Sequence, residues 1–256
     1  MMSKRLRIRA AVTAALLAAG LAQTAAADTT LTYRSAEGSF TVDMRPGAVR
    51  IDDASKQWQL YRRDSEAIFS VRPGERTYTR LDRDVADTIR QRMDTLRAEV
   101  ETRVQQLPEG QRAAARAALV DQIPGLEPSQ QRDVGLDHTG QTETVAGVEC
   151  EIVQIVRDGR PGETLCLASA DALGVDDDTF ATIKSMFALM KTMLAGTGLE
   201  TVGLPYLDLD GMPVRFRDAG TGERRVLSSI SHEPLGDGRF SIPDDYIEQT
   251  PAQPGR

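Results

Sequence analysis

From Thr29 to Leu81 apolar residues alternate with polar ones in short runs, and each run stops at a cluster of turn formers. A period of two lines up such residues on one face of an extended strand and scatters them around a helix, so this stretch is confined to β structure. Leu31/Tyr33, Phe40/Val42/Met44, Val49/Ile51, Trp58/Leu60, Ile68 or Phe69 with Val71, and Tyr78 are its inward candidates. Ala36-Glu37-Gly38, Arg45-Pro46-Gly47, Asp53-Ala54-Ser55 and Pro73-Gly74-Glu75 supply the reversals of an antiparallel meander. The alternate positions carry Thr, Ser, Arg, Gln and Asp, so the second face is expected to be wet or covered by something polar.

The period changes after Asp82. Val85, Ile89, Met93, Leu96, Val100 and Val104 follow at intervals of three or four, the stripe of a helix. Pro108 closes it, and Gln111 to Ile123 reads as a second, Ala-rich helix stopped by Pro124-Gly125. Residues 82–123 thus form a helical hairpin inserted between strands, its stripe expected to lie on the sheet. β structure resumes from about Val134 to Ala168, most plainly as a hairpin whose arms, Val148–Arg157 and Glu163–Ala168, flank Asp158-Gly159-Arg160-Pro161-Gly162.

A third helix, within 176–196, opens on Asp176-Asp177-Asp178, acids that suit a helix N-terminus better than a metal. Its expected inner stripe is Phe180, Ile183, Phe187, Met190 and Leu194, widened by Met186, Leu189 and Met193 beyond what a two-layer contact requires. Further strands are expected at Val214/Phe216, at Val226–His232 and at Phe240-Ser241-Ile242-Pro243. Residues 28–248 then make one domain, and 249–256 a frayed tail.

Lys4, Arg5, Arg7 and Arg9 precede an Ala/Leu-rich run from Ala10 to Ala22 and the small residues Ala25-Ala26-Ala27. The apolar run is too short to span a ~30 Å hydrocarbon core, so residues 1–27 read as a cleavable signal peptide and the periplasm as the destination. Without those four cations the chain's 31 basic residues fall to 27 against 38 acidic ones. So acidic a body argues against nucleic acid, against attraction to an anionic membrane and against phosphate-rich ligands, and no stable membrane insertion is expected.

No catalytic constellation is present. The two histidines, His138 and His232, lie far apart, and there is no Gly-x-Ser-x-Gly elbow, phosphate-binding loop or His-Glu-x-x-His helix. Asp208-Leu209-Asp210-Gly211 lacks the remaining ligands of a calcium loop and reads as a turn, so neither metal nor cofactor is expected. Cys150 and Cys166 each stand eight residues from Asp158, which in a regular hairpin sets them opposite one another. In an oxidising compartment this favours a cross-strand disulfide over a redox-active pair or a metal clip.

Thr144-Val-Ala-Gly-Val-Glu-Cys150, the hairpin after it, Glu163-Thr-Leu-Cys-Leu-Ala168 and the closing Phe240-Ser-Ile-Pro-Asp-Asp-Tyr246 resemble a family of bacterial periplasmic domains of unknown function grouped with the LolA and LolB lipoprotein carriers. Asp245 stands where that family's ending has Gly, and the 82–123 hairpin is longer than its usual connection. The resemblance implies an α+β fold: a strongly curved antiparallel sheet, an incomplete barrel, with helices on its open concave side. In the carriers the hollow holds lipid chains. The expected function is a periplasmic binding or carrier protein for an apolar or lipid-like ligand, not an enzyme, with Phe180, Ile183, Met186, Phe187, Met190, Met193 and Leu194 around the ligand. The alternative is an envelope accessory protein that docks a protein partner and holds no small molecule.

Overall fold

A computed structural model describes residues 28–36, 38–122, 126, 134–195, 209–217 and 222–250; the leader expected at 1–27 and the chain after 250 lie outside them. The expected meander is present as β1 (Thr29–Arg34), β2 (Ser39–Arg45), β3 (Ala48–Asp52), β4 (Trp58–Arg62), β5 (Ala67–Arg72) and β6 (Thr77–Leu81), each antiparallel to the next. The helices α1 (Arg83–Gln105) and α2 (Glu109–Gln122) follow, then β7 (Val134–Val145), β8 (Val148–Arg157) and β9 (Arg160–Ala168). After α3 (Asp177–Leu194) come β10 (Met212–Arg217), β11 (Arg224–Ser231) and β12 (Ile247–Gln249).

All twelve described strands join one open sheet in the order β12-β6-β5-β4-β3-β2-β1-β11-β10-β9-β8-β7. Only β12 runs parallel to its neighbour, β6, so part of the expected tail is instead a strand. The described residues therefore form a mixed α+β fold with three α-helices on a sheet that does not close. Its two halves meet where β1 pairs with β11, from Thr30–Ser231 to Arg34–Val226.

Part of the second face, expected to be wet or covered by something polar, is instead buried under apolar side chains. Leu31, Tyr33, Val42, Met44, Val49, Tyr61 and Ile68 point to the helical side, together with Cys150, Cys166, Val214 and Leu227. Trp58, Leu60, Val71 and Ala48, the first three of them expected inward candidates, point the other way. A strap, residues 232–246, crosses that second face from the end of β11 to β12 and packs Leu235, Phe240, Ile242 and Tyr246 against them. Phe240 and Ile242 belong to a short turn-rich path and not to the strand expected there.

Polar groups hold the strap in place. Arg239 donates from Nε to Asp43 and from Nη2 to Asp52, both at 2.5 Å. Arg50 grips Asp52 with Nε and Nη2, donates to the Arg239 carbonyl, and stacks 3.8 Å over the Trp58 ring. Arg45 joins Asp28 to Asp237 and to the Leu235 carbonyl and lies over Phe240. The alternating Arg and Asp of the meander are thus a charged lattice that clamps an apolar strap.

Candidate functional site

The Met-rich helix is set on the sheet by its own first turn. Asp176 caps it, accepting from the Thr179 N–H at 2.9 Å and the Thr179 hydroxyl at 2.7 Å. Burial raises the Asp176 pKa, but those hydrogen bonds outweigh it and hold the carboxyl below its ordinary value. One turn on, Thr182 donates to the Asp178 carbonyl and accepts from the Gly47 N–H at 2.9 Å. Gly47 sits in the β2–β3 turn at φ +84°, a conformation that favours glycine, so this turn chemistry also aims an N–H at the helix. Burial pushes the phenol pKa of Tyr61 of β4 up, and the Ser185 hydroxyl donates to the Ala181 carbonyl of its own helix.

These contacts rotate α3 relative to the stripe expected from hydrophobicity. The innermost row is Thr179, Thr182, Ile183, Met186 and Leu189, all buried. Phe180, Phe187, Met190 and Met193 form a second row, packed against the same core but only partly covered, and Leu194 is likewise intermediate. Of the seven residues expected around a ligand, Ile183 and Met186 therefore fill the core, Phe180, Phe187, Met190 and Met193 line its flank, and Leu194 is half-buried beyond them. The polar anchors all belong to the first half of the helix.

The α1–α2 hairpin supplies the next layer. Its main partner is α3, not the sheet as expected, and of its stripe only Met93 and Val104 are buried, with Ala86 beside them. Along α1 a cleft of about 550 Å³ is lined by Thr88, Gln91, Arg92, Met93, Thr95, Leu96 and Glu99. Val85, Ile89, Leu96 and Val100 remain half-buried. The helical side thus carries partly covered apolar side chains on α1 and on the second row of α3, two helices in contact. Replacing Thr182 by Val should lower stability by about 1–3 kcal/mol in urea unfolding, because the Gly47 N–H loses its acceptor; an unchanged midpoint would show that the anchor is dispensable.

The far end of the sheet is built differently. Cys150 and Cys166 are joined, with Cα atoms 5.4 Å apart, but the ladder sets Cys166 opposite Ile152 and not opposite Cys150. The two-residue shift comes half from the turn, where Arg157 pairs with Arg160, and half from an irregularity between Gln154 and Val156, where β9 has the extra residue. Gly162 lies there, and a Cβ on it would stand 2.9 Å from the Ile155 carbonyl oxygen. Glu143 of β7 pairs with Cys150, Arg215 of β10 pairs with Cys166, and the two side chains form a two-pronged ion pair at 3.1 and 2.7 Å. Flat strands would hold β7 and β10 about 14 Å apart, so the sheet rolls over at this end, and β7 also touches β11.

The remaining chemistry-bearing residues are accounted for locally. His232 bonds Thr29 at 3.2 Å and His138 bonds Glu151 at 3.0 Å. Asp210 pairs with Lys184 of α3, while Asp208 lies outside the described residues. No group of three or more metal-binding side chains occurs among the described residues, and no described helix is long and apolar enough to cross a membrane. Thr179 and Thr182, which set the helix, are the site residues that sequence reasoning missed; their polarity masked their inward position.

Among solved structures the chain is similar to one described as MucB in complex with MucA(peri), at 11% identity and a TM-score of 0.24, with 87% of this chain and 55% of that chain covered. The chain thus spans about half the length of that protein. No curated protein matches it. Residues 118–246 match a family described as a domain of unknown function, DUF4412, a span that takes in β7–β11, α3, the disulfide and the strap. On that match, which covers half of its length, the chain belongs to the DUF4412 family.

Proposed function

We propose that the protein is a non-catalytic binding protein of the periplasm that takes an apolar, lipid-like ligand along the seam between α3, α1 and the sheet. The observation that carries this reading is the second row of α3. Phe180, Phe187, Met190 and Met193 reach the core without being covered by it, on a helix whose inner row is already satisfied. Methionine side chains are flexible and polarizable and adapt to ligands of differing shape. The disulfide and the leader-like residues 1–27 support an oxidising, exported setting. The resemblance of residues 144–168 and 240–246 to a family grouped with lipoprotein carriers points the same way as an analogy. A second reading, docking of a partner protein, is favoured by the cleft along α1.

The test is uptake of 1-anilinonaphthalene-8-sulfonate, with displacement by oleate. The wild type should bind the dye, and Met190→Gln and Met193→Gln should weaken binding at least tenfold with an unchanged unfolding midpoint. Met186→Gln, placed in the inner row, should instead lower stability. Absence of dye and oleate binding by a folded wild type would remove the ligand and leave the docking reading.

A further inference from the structure

The leader-like pattern of residues 1–27 ends on Ala25-Ala26-Ala27, so the expected scissile bond joins Ala27 to Asp28. Chain ends and cleavage sites are ordinarily exposed and loosely held. Asp28 is neither. It is 8% exposed, and Thr29 after it is 1% exposed. Its carboxylate accepts from Nε and Nη2 of Arg45 at 3.0 and 2.9 Å and from the Leu235 N–H at 2.6 Å. Arg45 belongs to β2 and Leu235 to the strap, so one side chain ties the first residue after the bond to partners 17 and 207 residues further on.

The residues that follow are held from both sides. Thr29 and Thr30 pair with Met44 and Asp43 of β2, and Thr30 pairs also with Ser231 of β11. The Thr29 hydroxyl lies 3.2 Å from Nδ1 of His232, where the strap begins. A peptidase must draw the backbone on either side of its scissile bond into its own cleft. Here the backbone just after the bond is already inside a sheet, so cleavage of the finished fold requires that β11 and the strap first come away.

We propose that the Ala27–Asp28 bond is a processing site that the fold itself closes: it is cut while β1 still lacks β11 and the strap, and the Asp28–Arg45–Leu235 cluster seals it afterwards. In the cut, water adds across the amide, leaving a carboxylate on Ala27 and an ammonium group on Asp28. A chain that completes its fold before it is cut keeps its leader. The inference rests on the exported reading of residues 1–27 and is independent of what α3 binds.

Treatment of the full 256-residue chain with purified signal peptidase tests the seal, the substrate being either folded or freshly diluted from urea, with products read by mass and N-terminal sequencing. The chain caught while folding should yield a product that begins Asp28-Thr29-Thr30, and the folded chain should be cut at least tenfold more slowly. Folded Arg45→Ala should be cut at least tenfold faster than folded wild type. Arg62→Ala, which loses only an exposed pair with Asp64, should be cut as the wild type is. Where circular dichroism shows that Arg45→Ala does not fold, Arg45→Lys, which gives up the two-pronged grip but keeps a cation, takes its place and should also be cut faster. No cut at Ala27–Asp28 in the unfolded chain would remove the leader reading and the proposal with it. Equal rates for folded and folding wild type, or a folded Arg45 variant cut no faster than wild type, would overturn the seal and leave the leader reading standing.

Discussion

Arg239→Ala should cost about 3–5 kcal/mol, the largest single loss expected anywhere outside the inner core. The Asp43 side chain is 3% exposed, and among the described residues its charge is matched only through Arg239 and one neutral donor, the Thr30 hydroxyl at 2.7 Å. Removing the guanidinium leaves a buried carboxylate with no cation, and it also unties Asp52 from the strap. Total stabilities of domains fall near 5–15 kcal/mol, so urea unfolding should show a large shift in midpoint. Proteolysis should then cut between Leu235 and Ile247. Adding Asp43→Asn to the variant should restore part of the loss, because the uncompensated charge is gone. A loss under about 1 kcal/mol would mean that the apolar contacts of Phe240 and Ile242 hold the strap without the clamp.

Cys150→Ser is expected to cost about 2–4 kcal/mol and to leave the fold intact. The bond closes a loop with a sequence separation of 16, for which the chain-entropy account gives about 3 kcal/mol. Both cysteines are buried, at 2% and 0% exposure, and the Arg215–Glu143 pair spans them from the flanking strands. A reductant should therefore react slowly with the native protein and quickly in urea. Thiol titration of freshly isolated, denatured protein should find none; two reactive thiols per chain would overturn the pairing.

The elements were legible in the sequence where one local rule acted alone. Pro46-Gly47 and Pro73-Gly74 turn the chain where expected, and α3 starts at its acid cluster with Asp176 as cap. The facing of side chains was less legible. Trp58 and Leu60 alternate as Val49 and Ile51 do, yet the two pairs serve opposite faces, because the strap that covers one of them lies more than 150 residues further on. Thr179 and Thr182 look like surface residues until their hydroxyls find Asp176 and Asp178 in their own helix and, for Thr182, the Gly47 N–H. The disulfide was legible from spacing and compartment, but its offset was not, since it sums a tighter turn, with Arg157 opposite Arg160, and an irregularity at Gly162 that depends on how close a backbone comes to Ile155.

The seam between β1 and β11 sets the order in which this molecule can be completed. A chain that emerges from its N-terminus can fold β1–β6 at once, since every rung among them is local. The remaining edge of β1 stays vacant until Arg224–Ser231 arrive, and Asp28 finds the Leu235 N–H only later still. Loop closure over such a span slows folding, and an unsatisfied strand edge is a template for pairing with other copies. The half-made meander is therefore the species that a holding chaperone would need to guard, and late mutations in β11 should raise aggregation during synthesis more than their effect on the finished protein suggests.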